Sequence, residues 1–170
     1  DTALEIYLYN FPQQVGFELP LSLIARLVEA YPDTVVGSKD SSGDWPRMER
    51  TMAELPGFRL FPGSEEFLLA GLRQGAVGCI SATVNVTAPQ SQDVYANWRG
   101  ENADELQTYL TELRMAFKGL PAIPVMKAYH AHERNEPGFA NLRPPFTPAS
   151  DADLATVRER LAAAAFELAA

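Results

Sequence analysis

The sequence predicts an α/β fold built around a parallel β-sheet. Through residue 87, short apolar segments alternate with amphipathic segments of helical period, which is typical of repeated βα units. The apolar segments are continuous, as in strands that are covered on both faces. Reactive side chains follow the carboxyl ends of these segments, where α/β folds place their functional sites.

The first three predicted strands in this part end at turn-forming residues. Asn10 and Pro12 stop the first strand, and the loop Ser41-Ser42-Gly43-Asp44 closes the second. Pro56-Gly57 ends the second helix, and Pro62-Gly63-Ser64 ends the third strand. The strands are predicted at residues 4–8, 34–38, 58–61 and 77–83. The helices between them are predicted after Pro20, which suits a first helical turn, and at residues 45–55 and 65–73.

The remainder of the chain, residues 88–170, predicts a helical region without further strands. Four of the 13 prolines lie in residues 135–150, which we interpret as an ordered surface loop. We expect this region to pack on residues 1–87 within a single domain. The helices are predicted at residues 91–98, 103–118, 124–134 and 151–169.

Length, charge and cysteine content exclude several classes of protein. At 170 residues, of which 46% are hydrophobic, the chain fits one domain with a sizeable core. The net charge of −8 argues against a nucleic-acid partner, because phosphate binding needs clustered positive charge. No apolar run approaches the roughly 20 residues of a membrane helix. The single cysteine, Cys79, excludes an internal disulfide and favours a cytoplasmic location.

No pattern in the sequence indicates a cofactor or a metal site. It contains neither a P-loop nor a dinucleotide-binding fingerprint. His130 and His132 lie two positions apart on a predicted helix and therefore point about 200° apart, too far to bind one metal from one helix face. We expect both to be surface or packing residues, and we expect no cofactor and no metal.

Lys39 is the first candidate for chemistry. It directly follows the apolar strand segment Val35-Val36-Gly37, so its amine is expected to reach what the strand ends surround. An amine held away from water there could attack a carbonyl group. The alternative is a strand-end lysine that extends to water and pairs with Asp40.

Tyr9 is the second candidate, because it ends the first predicted strand one βα unit before Lys39. On neighbouring parallel strands the two side chains could approach each other, and a phenol can relay a proton to a reacting centre. The alternative is a tyrosine that packs at the rim with its hydroxyl in water.

A third group of residues lies at the ends of the later strands. Hydroxyl and backbone N–H groups there could hold a carboxylate, and Gly63 permits a tight loop. The alternative for each residue is ordinary turn or capping chemistry, and Glu65 is equally a first-turn helix acid. The group consists of Gly63, Glu65, Ser81 and Thr83.

Four segments together resemble the dihydrodipicolinate synthase and N-acetylneuraminate lyase family of class I aldolases. They are YNFP, VVGSKDSSGD, FPGSEEFLLAGLRQGAVGCISATVNV and LRPPFTP, in the order and spacing of that family. The resemblance implies a (β/α)8 TIM barrel, of which this chain supplies strands 5–8 and the C-terminal helices. It also implies a homotetramer, and it implies that this half of the barrel is inactive alone.

The resemblance also implies roles for individual residues. Lys39 forms a Schiff base with pyruvate or another 2-oxo acid, and Tyr9 moves protons during imine formation and carbon–carbon chemistry. The pyruvate end lies against Ile80 and Ser81. The rest of the substrate faces Gly63 and Glu65. No metal is needed, because the imine serves as the electron sink.

Two positions depart from the family pattern. Dihydrodipicolinate synthases place an arginine two residues after the YNxP proline to bind the carboxylate of an aldehyde, whereas this chain has Gln14. A neuraminate lyase favours Gly-Ser where this chain has Ser81-Ala82. The second substrate therefore stays open at this point. A different class also stays open, a non-catalytic half-barrel that serves as a binding or assembly module.

Overall fold

The computed structural model describes residues 3–168, which divide into two compact units at residue 81. Asp1, Thr2 and the last two residues lie outside the described residues. The first unit holds a three-stranded parallel sheet in the order β1-β2-β3, formed by Ile6–Asn10, Val35–Asp40 and Arg59–Pro62. Its helices are α1 (Pro12–Val15), α2 (Leu21–Ala30), α3 (Trp45–Glu54) and α4 (Leu68–Gln74), and a 3-10 turn covers Glu65–Phe67.

Side chains of the sheet alternate between two faces of different character. On one face, Ser38, Asp40 and Leu60 are at most 2% exposed. On the other face, Tyr7 is 40% exposed and Tyr9 50% exposed. The helical period predicted after Pro20 is confirmed, since Ile24 of α2 packs with Val35 and Phe58 in a buried cluster.

The predicted fourth strand, residues 77–83, is wrong. This segment is not a strand, although two backbone hydrogen bonds join it to β3, from Val77 N to the Leu60 oxygen at 3.1 Å and from Ile80 N to the Pro62 oxygen at 3.0 Å. The acceptors are two residues apart but the donors are three apart, so one extra residue breaks the ladder. The third predicted helix, residues 65–73, consists of two elements in the structure, the 3-10 turn and α4.

The second unit is helical, as predicted, and holds no strand within residues 82–168. Its helices are α5 (Val84–Asn97), α6 (Ala103–Met115), α7 (Ala122–Glu133) and α8 (Asp151–Ala163), and a 3-10 turn covers Pro137–Ala140. The core joins these four helices through residues such as Val86, Leu113, Val125 and Val157, each at most 2% exposed. A capping box between Ser150 and Asp153 starts α8.

Two helices of this unit differ from the prediction by more than three residues at one end. Helix α5 begins seven residues earlier than expected, at Val84. It is kinked at Thr87, because Pro89 lacks the N–H that would bind the Asn85 carbonyl. His130 occupies that carbonyl instead, with its Nε2 at 3.0 Å, which gives the histidine a packing role. Helix α8 ends at Ala163 rather than at residue 169, which lies outside the described residues.

Candidate active site

Tyr9 and Lys39 are partners in the parallel pairing of β1 and β2. Partners in a parallel ladder project to the same face of the sheet. The Lys39 Nζ lies over the Tyr9 ring, 4.5 Å from its centre. The structure therefore brings together the two residues that the sequence singles out for chemistry.

Asp40 does not pair with Lys39, which corrects the alternative interpretation of this lysine. Lys39 lies within β2 rather than after it, so the next residue, Asp40, projects to the opposite face. The Asp40 carboxylate is 2% exposed and bonds Arg47 Nε at 3.1 Å. Among residues 3–168, Lys39 makes no ion pair with a carboxylate.

Aromatic rings surround the Tyr9–Lys39 pair on the same face. Phe61 is the partner of Lys39 on β3, and its ring meets Tyr7 edge-on at 5.8 Å. Phe11 stacks on Tyr9 with centroids 5.5 Å apart. The predictions from sequence omitted Phe11 and Phe61. Phe61 could have been found by aligning the β3 ladder with Lys39, but that alignment requires the register of the strands.

A second row of ladder partners lies two residues before the row of Lys39, toward the amino-terminal ends of the strands. Tyr7, Gly37 and Arg59 are partners across the three strands. The Arg59 guanidinium donates to the Tyr7 hydroxyl at 2.6 Å and to Glu5 Oε2 at 2.8 Å. The hydrogen bond to Tyr7 makes the largest contribution to raising the pKa of Arg59, and the bond to Glu5 raises it further. This row ties the amino-terminal parts of β1 and β3 together.

Gly63 allows the loop that follows β3 to lie in contact with the loop that follows β2. Its N–H donates to the Asp40 carbonyl at 2.6 Å. A Cβ at this position would lie 2.8 Å from the Ser41 Cα, so only glycine fits. The loop that follows β3 therefore passes directly beside the loop that follows β2.

Glu65 lies inside the first unit. It starts the 3-10 turn and is completely buried, at 0% exposure. Glu65 is therefore enclosed within the first unit, and its role toward a substrate stays a prediction. Ser64 and Glu66 begin the same turn, since the Ser64 Oγ accepts from Glu66 N at 3.2 Å and donates to Glu66 Oε2 at 2.9 Å.

Ile80 and Ser81 end the segment beside β3. The Ile80 N–H is held by the Pro62 carbonyl, and the Ile80 side chain is 46% exposed. Ser81 is half-buried. Thr83, in the second unit, is 3% exposed and its Oγ accepts from Arg114 Nη1 at 2.8 Å, which is a structural role.

Two features are absent from the described residues. Within residues 3–168, no group of three His, Cys, Asp or Glu side chains is arranged to hold a metal ion. In the same range, no helix combines the length and the apolar composition needed to cross a bilayer.

Comparison with known proteins places these features in a family context. The sequence profile of the dihydrodipicolinate synthetase family matches residues 1–164. The chain is 38% identical over 128 residues to the 4-hydroxy-tetrahydrodipicolinate synthase of Methanopyrus kandleri, covering 72% of this chain and 42% of that protein. It is 32% identical over 167 residues to the N-acetylneuraminate lyase of Rhizobium meliloti, covering 95% and 53%. The chain thus spans about half the length of the curated relatives it matches.

Solved structures share the fold. Dihydrodipicolinate synthase from Thermotoga maritima has a TM-score of 0.82 and 25% identity, covering 96% of this chain and 57% of that one. YagE, a prophage protein of the dihydrodipicolinic acid synthase family from E. coli K12 solved with pyruvate, has a TM-score of 0.85 and 20% identity with the same coverage. The predicted α/β fold is confirmed as that of about half of such a chain.

Proposed function

Because the chain belongs to the dihydrodipicolinate synthetase family, we propose that the protein is a lyase that binds pyruvate or another 2-oxo acid as an imine with Lys39. The observation that carries this proposal is the position of Lys39, with its Nζ over the Tyr9 ring. Its neighbour Asp40 is engaged on the opposite face of the sheet. Among residues 3–168 no carboxylate forms an ion pair with the Lys39 amine, so its nitrogen can attack a carbonyl carbon.

Lys39 and Tyr9 supply the nucleophile and the proton transfers that the proposed reaction needs. The neutral Lys39 amine adds to the carbonyl carbon of the 2-oxo acid, and the resulting carbinolamine loses water to form a C=N⁺ bond. The iminium withdraws electrons, so a proton leaves the adjacent carbon and an enamine forms. The enamine carbon adds to an aldehyde, or the reverse step releases one. Tyr9 supplies and accepts the protons as general acid and base.

We assign the remaining site residues by resemblance and position. Ile80 and Ser81 hold the carboxylate end of the 2-oxo acid, and Gly63 shapes the loop that faces the rest of it. Gln14 stands where dihydrodipicolinate synthases carry an arginine, and it is exposed on α1. A neutral amide gives no charge pair to a carboxylate. We therefore propose a second substrate other than that of the lysine-biosynthetic reaction.

The architecture of the whole protein is proposed on the same grounds. Strands β1, β2 and β3 correspond to strands 5, 6 and 7 of a (β/α)8 barrel, and residues 77–80 occupy the place of strand 8. The helices that follow form a C-terminal helical region. A homotetramer follows from the resemblance, and we propose a cytoplasmic protein without nucleic-acid or membrane partners, cofactor or metal.

Reductive trapping tests the proposed function. The protein that carries this chain is incubated with pyruvate and sodium borohydride, and its intact mass is measured. We expect a gain equal to one pyruvic acid less one oxygen atom, which a reduced imine requires. Lys39→Arg should abolish the gain, and Lys127→Arg, on α7, should leave it unchanged. No gain in the wild-type protein, or an undiminished gain in Lys39→Arg, overturns the proposal.

The edge strand favours a second candidate function, a non-catalytic module that assembles with another polypeptide. Leu4, Ile6 and Tyr7, in and beside the edge strand β1, are 62%, 41% and 40% exposed. Exposed apolar edges pair with other chains. This candidate predicts a larger mass than 18.7 kDa for the isolated chain in solution and no borohydride-trapped adduct in any assembly.

A further inference from the structure

A buried polar network lies directly behind the Tyr9–Lys39 pair, on the opposite face of the sheet. Its centre is Asp40, whose carboxylate is 2% exposed. Asp40 Oδ1 accepts from the Ser42 N–H at 2.9 Å and from the Ser42 hydroxyl. Asp40 Oδ2 accepts from Asn10 Nδ2 and from Arg47 Nε, both at 3.1 Å. Four donors therefore hold this carboxylate in one orientation.

Arg47 connects this carboxylate to two further parts of the first unit. It lies on α3 and is 4% exposed. Its Nε also lies 3.3 Å from Glu18 Oε1, and its Nη2 donates to the Leu19 carbonyl. One guanidinium thus ties α3, the end of β2 and the segment before α2 to one another.

Asn10 carries the same network across to β1. Asn10 and Asp40 are ladder partners, one residue beyond Tyr9 and Lys39. The Asn10 Nδ2 bonds Asp40, and its Oδ1 accepts from Leu19 N at 3.0 Å. The side-chain bond between Asn10 and Asp40 therefore holds β1 and β2 in register at the ends that bear the reactive pair.

We propose that the Asp40–Arg47 ion pair is a positioning device that sets the Lys39 amine against Tyr9, an inference that rests on the proposed imine chemistry. Successive residues of a strand project to opposite faces, so fixing Asp40 fixes the direction in which Lys39 leaves the sheet. Arg47 and Asp40 do not touch the substrate face. They act through the backbone of β2, where a displacement of about 1 Å can cost on the order of 100-fold in rate.

Pyruvate alone suffices to test this inference. Exchange of its methyl protons with deuterated water requires imine formation and proton removal, and NMR measures its turnover and half-saturating concentration. In the protein that carries this chain, Arg47→Met should lower turnover by roughly 10- to 100-fold and change half-saturation by less than about 3-fold. Arg47→Lys should recover part of the loss, since a lysine keeps the charge but not the forked donors.

Controls separate positioning from loss of folded protein. Arg50→Met, on the exposed side of α3, should match the wild type. Ile24→Val should lower the melting temperature through a small core cavity and leave turnover unchanged. All rates are measured below the melting transition of each variant. If Arg47→Met does not fold, Ser42→Ala, which removes one hydroxyl donor to Asp40, and Arg47→Lys carry the test.

The outcomes distinguish this inference from the proposed function. A wild type without exchange and without a trapped adduct overturns both. A wild type that exchanges, together with Arg47 and Ser42 variants at wild-type turnover, overturns the positioning role alone. A turnover loss that Ile24→Val reproduces at equal melting temperature also overturns it, since the effect then follows stability.

Discussion

The Lys39 Nζ lies 4.5 Å from the centre of the Tyr9 ring, and the two residues are ladder partners on β1 and β2. The face of an aromatic ring carries negative partial charge and attracts a cation. The same attraction would act on a positively charged imine at this nitrogen. The phenol hydroxyl lies on the same side chain, so in the proposed reaction one residue would supply both an electrostatic surface and a proton carrier.

Replacing Tyr9 by phenylalanine separates these two contributions. Tyr9→Phe keeps the ring under the Lys39 amine but removes the proton-carrying hydroxyl. We expect borohydride still to trap pyruvate on Lys39, but more slowly, because imine formation also needs a proton. Deuterium exchange into the pyruvate methyl group should slow by roughly 100-fold or more, as for loss of a general acid–base group. NMR measures that rate. Tyr31→Phe, exposed at the end of α2, is the matched control. Exchange at the wild-type rate in Tyr9→Phe would show that the hydroxyl moves no proton.

Gly37 leaves room for the ring of Tyr7. A Cβ at this position would lie 2.5 Å from Tyr7 Cε1 and would also meet the Arg59 carbonyl oxygen. Gly37→Ala should therefore reduce the free energy of unfolding by about 1–3 kcal/mol, the usual cost of overpacking. Urea denaturation measures this change. Gly138→Ala, where a Cβ meets nothing within 4 Å, should stay within about 0.5 kcal/mol. Equal stability of the two variants is incompatible with this close approach.

Tyr129 links the stability of the second unit to alkaline pH. Burial, with a smaller contribution from Glu133, raises the pKa of Tyr129 to about 12, against about 10 in an unfolded chain. The folded state therefore favours the neutral phenol. Its stabilisation is complete below pH about 10 and is lost as the pH rises toward 12.

Melting temperatures of the wild type and of Tyr129→Phe between pH 8 and 11 test this linkage. Above pH about 10 the wild type should lose stability more steeply than the variant, which has no phenol to ionise. The comparison cancels the other groups that titrate there, because both proteins share them. Parallel curves would contradict the raised pKa.

Local pattern was sufficient to predict the three strands, the helices α2 and α3 between them, and the Tyr9–Lys39 pair. The βα repeat places Tyr9 and Lys39 at the ends of consecutive parallel strands, and only the register between those strands had to be supplied. The helix before Pro32 and the helix starting at Trp45 follow from period and capping, both of which are properties of neighbouring residues.

Features that depend on distant contacts could not be predicted in this way. Whether Asp40 turns toward Lys39 or Arg47 depends on β2 continuing through Asp40, two residues beyond its predicted end. The extra residue in the segment from Val77 to Ile80 disturbs pairing with β3 although its composition is typical of a strand. Glu65 is an expected first-turn acid, but its burial depends on how the turn packs within the first unit.

The site of the trapped adduct tests the central claim most directly. Lys39, Lys118 and Lys127 are the lysines of this chain. After treatment with pyruvate and borohydride, the protein that carries it is digested and its peptides are sequenced by tandem mass spectrometry. We predict a reduced pyruvyl group on the Lys39 side chain and none on Lys118 or Lys127. An adduct on another lysine, with Lys39 unmodified, would contradict the account.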